Sequence, residues 1–258
     1  MAKKIIAAMV VALAASAAGY QALAEETLRI ATEGAYPPFN QTEPDGTLSG
    51  FDIDIAKALC DDLKIKCEIV KQDWDGMIPG LLARKYDLVV ASMTITDDRK
   101  KRVDFTQKYY QSPNVFSAKK GSSFVLTKEG LAGKSIGVQR GTIHACFVQK
   151  FFTDSDVKLY AGQQEAFSDM IAGRVDLVFS EAIGTNEQLL KLPDGKDFAL
   201  VGDPQIDPDC LGEGVGIALR KRNDDLRERL NKAIADIRGN GTYAKINAKY
   251  FTFDIFGN

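Results

Sequence analysis

The chain has 258 residues, of which 33 are basic and 35 acidic, and its formal net charge at pH 7 is −2. This balance excludes a strongly basic protein that would bind nucleic acid or an anionic lipid surface. The length and a hydrophobic content of 45% are sufficient for two small α/β domains.

The first 24 residues have the pattern of a cleaved secretory signal peptide. Two lysines, Lys3 and Lys4, precede an apolar run from Ile5 to about Ala18, and the segment Ala22-Leu23-Ala24 has the small residues of a cleavage site. The apolar run is shorter than the roughly 20 residues that a membrane span needs. We therefore expect cleavage after Ala24 and a soluble protein outside the cytoplasm.

Four cysteines follow the predicted signal, and an oxidising compartment allows them to form disulfides. Cys60 and Cys67 close a short loop between a predicted helix and a predicted strand, which indicates a local disulfide. Cys146 and Cys210 then pair by elimination, although two buried free thiols fit the sequence equally well. The cysteine spacing is too wide for a zinc site and His144 is the only histidine, so no metal is expected.

Strands and helices alternate in the first part of the chain. The hydrophobic pattern predicts a strand at Thr27–Thr32, a helix at Phe51–Leu63, a strand at Cys67–Val70, a helix from Asp75 to about Lys85 and a strand at Asp87–Ala91. This order is typical of a doubly wound α/β unit with a parallel sheet.

The same alternation begins again after the break at Ser112-Pro113. It predicts strands at Val115–Ala118, Lys134–Val138, Val157–Tyr160 and Val175–Ser180, with helices at Ile143–Phe152 and Gln163–Ala172. The polar stretch Leu192–Gly214 is predicted to be an irregular connection. A last strand at Val215–Leu219 and helices at Asp224–Arg238 and Thr242–Lys249 complete the chain.

Two such units predict two lobes with a double connection. If the last strand returns to the first unit, residues 25–112 and 207–258 form lobe 1, and residues 113–206 form lobe 2. The hinge then lies near residues 111–117 and 203–213. Hinged lobes of this kind close around ligands.

A hydroxyl-rich segment directly follows the strand Asp87–Ala91. Ser92, Thr94 and Thr96 lead into Arg99, and a guanidinium fork beside hydroxyl groups suits a carboxylate. Arg99 also lies in the charge run DDRKKR, which by itself is typical of a solvated surface. Because ligands bind at the carboxyl ends of strands in open α/β sheets, the position favours an anion site.

Seven segments share their order and spacing with one known family. They are Ala31–Phe39, Gly50–Asp54, Asp75–Pro79, Ser92–Arg99, Gly137–Thr142, Ala172–Asp176 and Gly239–Tyr243. On these segments the chain resembles the periplasmic amino-acid-binding proteins of ABC importers, of the histidine and lysine/arginine/ornithine type. The resemblance implies the type II periplasmic binding protein fold. It also implies a monomer without a cofactor that closes on an amino acid and delivers it to a membrane permease.

The resemblance assigns residues to both α-groups of the ligand. Arg99 is implied to hold the α-carboxylate with help from Ser92 and Thr94. The family often has a hydroxyl residue where this chain has Ala91, so only a backbone contact is expected there. Glu181 takes the position of the family's acid, usually an aspartate, that binds the α-ammonium.

Across the cleft, a predicted helix begins at Ile143, and its free N–H groups suit the same carboxylate. The next residue, His144, is expected to face the cleft because basic-amino-acid binders have glutamine or histidine at this position. The alternative is an ordinary polar surface residue. No serine and aspartate partners indicate catalysis by this histidine.

Three residues are predicted to select the ligand side chain. Glu33 stands where binders of basic amino acids have an acid, and it can pair with a distal cation. Tyr36 and Trp74 can enclose an aliphatic stem or stack on a guanidinium, and a hydrophobic plug is the less favoured alternative for Trp74. Asp52 can add negative potential, with its main role at the start of its helix.

The expected ligands are therefore arginine, ornithine and lysine, with histidine and opines as alternatives. Opines rank lower because opine binders tend to have an insertion in the second lobe that this chain lacks. An enzyme on this scaffold, such as a dehydratase, would need a general acid aimed at a leaving group. A sensor domain normally comes fused to a membrane span. We expect a binding protein and not an enzyme.

Overall fold

A computed structural model describes residues 27–257, so the predicted signal peptide lies outside the described residues. The strands are β1 Thr27–Thr32, β2 Ala35–Tyr36, β3 Asn40–Thr42, β4 Leu48–Ser49, β5 Lys66–Lys71, β6 Leu88–Val89, β7 Asp104–Tyr110, β8 Asn114–Lys119, β9 Ser135–Gln139, β10 Asp156–Tyr160, β11 Leu177–Glu181, β12 Phe198–Gln205 and β13 Val215–Leu219. The α-helices are α1 Phe51–Leu63, α2 Met77–Leu82, α3 Asp97–Lys100, α4 Ile143–Phe151, α5 Gln163–Ile171, α6 Ala182–Thr185, α7 Pro208–Leu211, α8 Asp224–Gly239 and α9 Thr242–Tyr250.

Two five-stranded sheets organise the molecule into two α/β lobes. The first has the strand order β5-β1-β6-β13-β7, and the second has the order β10-β9-β11-β8-β12. In the first sheet β5, β1 and β6 are parallel, and β13 pairs antiparallel with both β6 and β7. In the second sheet β10, β9 and β11 are parallel, and β8 pairs antiparallel with both β11 and β12. The strands β2, β3 and β4 form a small separate sheet.

The chain crosses between the two sheets twice. It leaves the first sheet after β7 and enters the second at β8, and it returns from β12 to β13. The connecting segments are residues 111–113 and 206–214. Because β13 lies between β6 and β7, the C-terminal part of the chain completes the first lobe.

Helices on both faces explain why the central strands are continuously buried. All five residues of β11 and all five of β13 are buried. In the first lobe α1 and α8 pack on one face through residues such as Leu59 and Ile234, and in the second lobe α4 contributes Phe147. No helix among residues 27–257 is long and apolar enough to span a membrane.

The prediction of an irregular connection at Leu192–Gly214 was wrong, because this stretch contains β12 and α7. Strand β12 is an edge strand that pairs only with β8, has a register shift after Val201 and is largely exposed beyond it. Its Gly202 and Pro204 are loop signals that the edge position tolerates.

Three further differences concern lobe 1. Strands β2, β3, β4 and β7 and the short helix α3 were not predicted, and the β6 pairing covers only Leu88–Val89 of the predicted strand. The helix predicted from Asp75 to about Lys85 begins as a 3₁₀ turn at Trp74–Gly76 and ends at Leu82. The remaining predicted boundaries agree with the structure within two residues.

The four cysteines form two disulfides, so the alternative of two free thiols is wrong. The Cα atoms are 6.2 Å apart in Cys60–Cys67 and 5.5 Å apart in Cys146–Cys210. The second disulfide joins α4 to α7, which lies in the returning connection. Lys150 adds to this attachment, because its Nζ lies 3.0 Å from a carboxylate oxygen of Asp207. The returning connection is therefore fixed to the second lobe.

The two disulfides are expected to contribute unequally to stability. Cys146–Cys210 spans 64 sequence positions and Cys60–Cys67 spans 7. Loop-closure entropy then predicts that the double variant Cys146→Ala/Cys210→Ala loses roughly 4 kcal/mol of unfolding free energy, and Cys60→Ala/Cys67→Ala roughly 2 kcal/mol. Urea unfolding of both variants measures the difference. Equal losses, or a larger loss for the shorter loop, would contradict it.

Candidate functional site

A cavity of about 490 Å³ lies between the two lobes and is lined by both. It is bounded by the carboxyl ends of strands in both sheets and by the two connecting segments. All ten positions predicted from the sequence line it, namely Glu33, Tyr36, Trp74, Ala91, Ser92, Thr94, Arg99, Ile143, His144 and Glu181. The structure therefore brings the whole predicted set together; that these residues bind a ligand stays a prediction.

The segment after β6 directs Arg99 towards the cavity. Thr96 caps α3 by accepting a hydrogen bond from the Arg99 backbone N–H, and the Arg99 Nη1 donates to the Thr94 carbonyl oxygen at 2.8 Å. These two bonds fix the start and the end of the side chain. Burial lowers the pKa of Arg99 to about 10, so its guanidinium remains charged at neutral pH.

Trp74 lies at the mouth of the cavity and has two roles. The Arg99 guanidinium carbon lies 5.3 Å from the Trp74 ring centroid, in a cation–π arrangement. The same ring packs on lobe-1 core residues such as Met77, so it is also a partial hydrophobic plug. Its Nε1 donates to the carbonyl oxygen of Gly141, in the other lobe, at 3.1 Å.

Glu33 is a buried acid from lobe 1, directly after β1. Its side chain is 8% exposed, and its Oε1 accepts a hydrogen bond from Nε2 of Gln139, in lobe 2, at 2.6 Å. Burial raises the pKa of Glu33 to about 7, and the nearby carboxylates of Asp73 and Asp75 add to the rise. Glu33 therefore titrates near neutral pH.

Glu181 is a buried acid from lobe 2, at the end of β11. It is 7% exposed, and its Oε2 lies 3.3 Å from the Tyr110 hydroxyl and 3.5 Å from the Tyr36 hydroxyl. Its Oε1 accepts no hydrogen bond of good geometry from any described residue. Burial raises the pKa of Glu181 to about 8, which the hydroxyls of Ser112 and Tyr110 offset only in part. The carboxylate therefore lacks a cationic partner.

Asp52 supports the site from behind and does not line the cavity. Its carboxylate is fully buried and accepts hydrogen bonds from Tyr109 at 2.6 Å, Asn40 at 2.8 Å and the Ser92 hydroxyl at 2.9 Å. Ser92 has a φ of 54°, a left-handed conformation that this bond helps to hold. Asp52 thus positions the Ser92 loop, besides standing in the first turn of α1.

His144 is buried in the cavity wall, so the alternative of a surface residue is wrong. Its Nε2 lies 2.9 Å from Oδ1 of Asn114, and its ring meets Phe179 edge-to-face. Burial and the positive charge of Arg99 lower the pKa of His144 to about 3, so the ring is neutral at physiological pH. Ile143 begins α4, which Thr142 caps by accepting from the Ala145 N–H at 3.2 Å.

Direct contacts across the cavity show that the lobes are closed. Asp75 forms an ion pair with Arg140, and Gln188 Nε2 donates to the Pro37 carbonyl oxygen at 3.0 Å. A Cβ atom placed on Gly184 would lie 2.8 Å from the Tyr36 hydroxyl oxygen, so the two lobes leave no room for a side chain there.

Sequence reasoning missed several residues that line the cavity, among them Asn114, Gln139 and Gln163. Gln139 ends β9, so the rule that ligands lie at the carboxyl ends of strands could have found it. Gln163 begins α5, and nothing in the sequence distinguishes it from the glutamine that follows.

Comparisons with known proteins agree with this geometry. Residues 28–253 match the bacterial extracellular solute-binding proteins, family 3. The L-arginine-binding protein of Pseudomonas aeruginosa is 45% identical over 237 residues, which cover 91% of this chain and 92% of that protein. The lysine/arginine/ornithine-binding periplasmic protein of Escherichia coli is 37% identical over 261 residues, which cover 100% of both chains.

Solved structures match the fold as well. The structure of an ancestral arginine-binding protein bound to arginine has a TM-score of 0.80 and 39% identity, covering 87% of this chain and 98% of that one. The predicted type II periplasmic binding protein fold is thereby confirmed. The chain belongs to family 3 of the bacterial extracellular solute-binding proteins.

Proposed function

We propose that this protein is a periplasmic binding protein that captures a cationic L-amino acid between its lobes and delivers it to an ABC importer. Arginine, ornithine and lysine are the proposed ligands. The observation that carries the proposal is the charge pattern of the cavity: one guanidinium, on Arg99, and two buried carboxylates that form no ion pair with any described residue, on Glu33 and Glu181. A third buried carboxylate in the lining, on Asp207, is already paired with Lys150. A cationic amino acid has the complementary set, one carboxylate and two cations.

The α-groups of the ligand are proposed to bridge the lobes. Arg99, with Ser92, Thr94 and the backbone at Ala91, holds the α-carboxylate from lobe 1. The N–H groups at the start of α4, from Ile143 on, face the same carboxylate from lobe 2. Glu181 pairs with the α-ammonium, which supplies the cation that this carboxylate lacks.

The side chain of the ligand is proposed to extend towards Glu33. Tyr36 and Trp74 border this path, and their rings cover an aliphatic stem. Glu33 then pairs with the distal ammonium or guanidinium. Neutral His144 adds a hydrogen-bonding group without a charge that would oppose the α-ammonium.

We propose binding without chemical turnover. A raised pKa, as in Glu181, also suits a general acid, and one solved neighbour is an ancestral amino acid-binding protein described as a precursor of cyclohexadienyl dehydratase. Two acids on opposite walls, each without a cation, match two ligand cations better than a single leaving group. The dehydratase alternative leaves Glu33 unexplained.

The organisation of the protein follows from this role. Export requires cleavage of residues 1–24, and the mature protein acts as a monomer that docks on a membrane permease. Lobe 1 is proposed to comprise residues 25–112 and 207–258, and lobe 2 residues 113–206. Residues 111–113 and the end of the returning connection after α7, residues 212–214, serve as the hinge, because α7 itself is attached to the second lobe. Ligand contacts from both lobes then favour the closed state.

Substitutions at the two ends of the site are expected to weaken the binding of different sets of ligands. Arg99→Ala removes the α-carboxylate contact common to all amino acids, so L-arginine, L-lysine and L-histidine should each lose about 100-fold or more in affinity. Glu33→Gln should lower the affinity for arginine and lysine about tenfold or more. The affinity for histidine should not change, because the histidine side chain is neutral at pH 8. Isothermal titration calorimetry at pH 8 measures these affinities.

The exposed Glu68→Gln is the matched control for loss of one negative charge, and its affinities should equal those of the wild type. Equal losses for all three ligands in Glu33→Gln would contradict the division of roles. A wild-type protein that binds no cationic amino acid would refute the proposed function itself.

Affinity for arginine is expected to fall as the pH is lowered from 8 to 6. Glu33, with a pKa of about 7, and Glu181, with a pKa of about 8, take up protons over this range, and a bound cation requires them ionised. Arg99 stays charged and His144 stays neutral throughout. The expected loss in affinity is about tenfold or more. Calorimetry in buffers of different ionisation enthalpy measures both the affinity and the number of protons released on binding.

The raised pKa values of Glu33 and Glu181 also make the stability of the ligand-free protein depend on pH. This dependence is opposite in direction to that of the affinity for arginine. Both carboxyls have a pKa in the folded protein above the ordinary glutamate value of 4.5, so their contribution to stability is present at low pH and is lost as the pH rises to about 8. The increase in melting temperature caused by arginine should therefore be larger at pH 8 than at pH 6. An affinity independent of pH, with no proton release, would contradict the proposed pairing.

A further inference from the structure

Gln163 is a buried amide in the cavity wall whose hydrogen bonding is incomplete. It is the first residue of α5, it is 3% exposed, and it lines the cavity. Its Nε2 has no hydrogen-bond partner among the described residues. Nε2 is a donor with almost no accessible surface, so the atom of this amide that can meet a molecule in the cavity is Oε1, to which no described residue donates.

Gln163 stands at the same end of the cavity as Glu33. Gln139 links the two regions, because its Nε2 donates to Glu33 at 2.6 Å and to the Ala161 carbonyl oxygen at 3.0 Å. Ala161 lies two residues before Gln163, and α5 packs beside β2, which follows Glu33 in the chain. The distal end of the cavity therefore combines one acid from lobe 1 with two amides from lobe 2.

The bonding of Gln139 fixes which of its atoms remains available. Both hydrogens of Nε2 are used, one on Glu33 and one on Ala161, so only Oε1 is left, as an acceptor. The amide of Gln163 has no such bond to hold it. Its Oε1 can therefore accept from a donor in the cavity.

We propose that Gln163, together with Gln139, makes this end of the cavity selective for a guanidinium, so that L-arginine is bound in preference to L-lysine and L-ornithine. This inference rests on the proposed function. A guanidinium has five N–H donors in one plane, whereas an ammonium has three on one atom. Glu33 and Gln139 can satisfy an ammonium, but a guanidinium leaves donors unpaired unless Gln163 supplies a third acceptor.

The test is to compare ligand preference in Gln163→Met, which keeps the length of the side chain and removes the amide. Calorimetry at pH 8 gives the dissociation constants for L-arginine, L-lysine and L-ornithine. Loss of one hydrogen bond to a charged group predicts that arginine binds about tenfold more weakly, while lysine and ornithine change less than about threefold. Gln164→Met, on the exposed side of the same turn, is the matched control and should change none of the three.

Equal changes for all three ligands, or an unchanged preference for arginine, would overturn the proposal. If Gln163→Met does not fold, as judged by its circular dichroism spectrum, Gln163→Ala takes its place, because it adds no volume and suits a helix start. Failure of the proposed function gives a different result, since the wild-type protein would then bind none of the three amino acids.

Discussion

The structure depends on the burial of two carboxylates, Glu33 and Glu181, on opposite walls of one cavity. Closing the lobes removes both groups from water, and their pKa values of about 7 and 8 show how strongly burial opposes their charge. Closure without a cation between them therefore costs free energy. The proposed ligand, with two cations and one carboxylate, would offset that cost on both lobes at once and would also pair with Arg99. The requirement for closure and the choice of ligand thus have one electrostatic origin.

The scaffold keeps these charges in place through bonds that involve no ligand. Asp52 holds the Ser92 loop from behind, and the Thr96 cap directs Arg99 into the cavity. On the other lobe, the Cys146–Cys210 disulfide fixes the returning connection to α4, the helix that begins at the cavity. These bonds hold the walls of the cavity within each lobe. Glu33 and Arg99 lie in the same lobe, so closure sets only their distances from Glu181.

Much of this could be predicted from the sequence, because the informative residues follow apolar strands. Ser92 and Arg99 follow β6, and Glu181 ends β11, positions where open α/β sheets bind ligands. Strand β12 escaped prediction since an exposed edge strand lacks an apolar pattern and tolerates Gly202 and Pro204. The bond between Gln139 and Glu33 joins residues 106 positions apart and exists only when the lobes meet. The raised pKa values likewise depend on burial that no local pattern encodes.

Small-angle X-ray scattering reports lobe closure in solution and so tests whether a ligand with two cations closes the lobes. We expect the radius of gyration to fall when L-arginine is added at pH 8 and not to change with L-glutamate, which lacks the second cation. We also expect Glu33→Gln to need a higher arginine concentration for the same decrease. Arginine binding, shown by calorimetry on the same sample, without any decrease in the radius of gyration would contradict this coupling of ligand charge to closure.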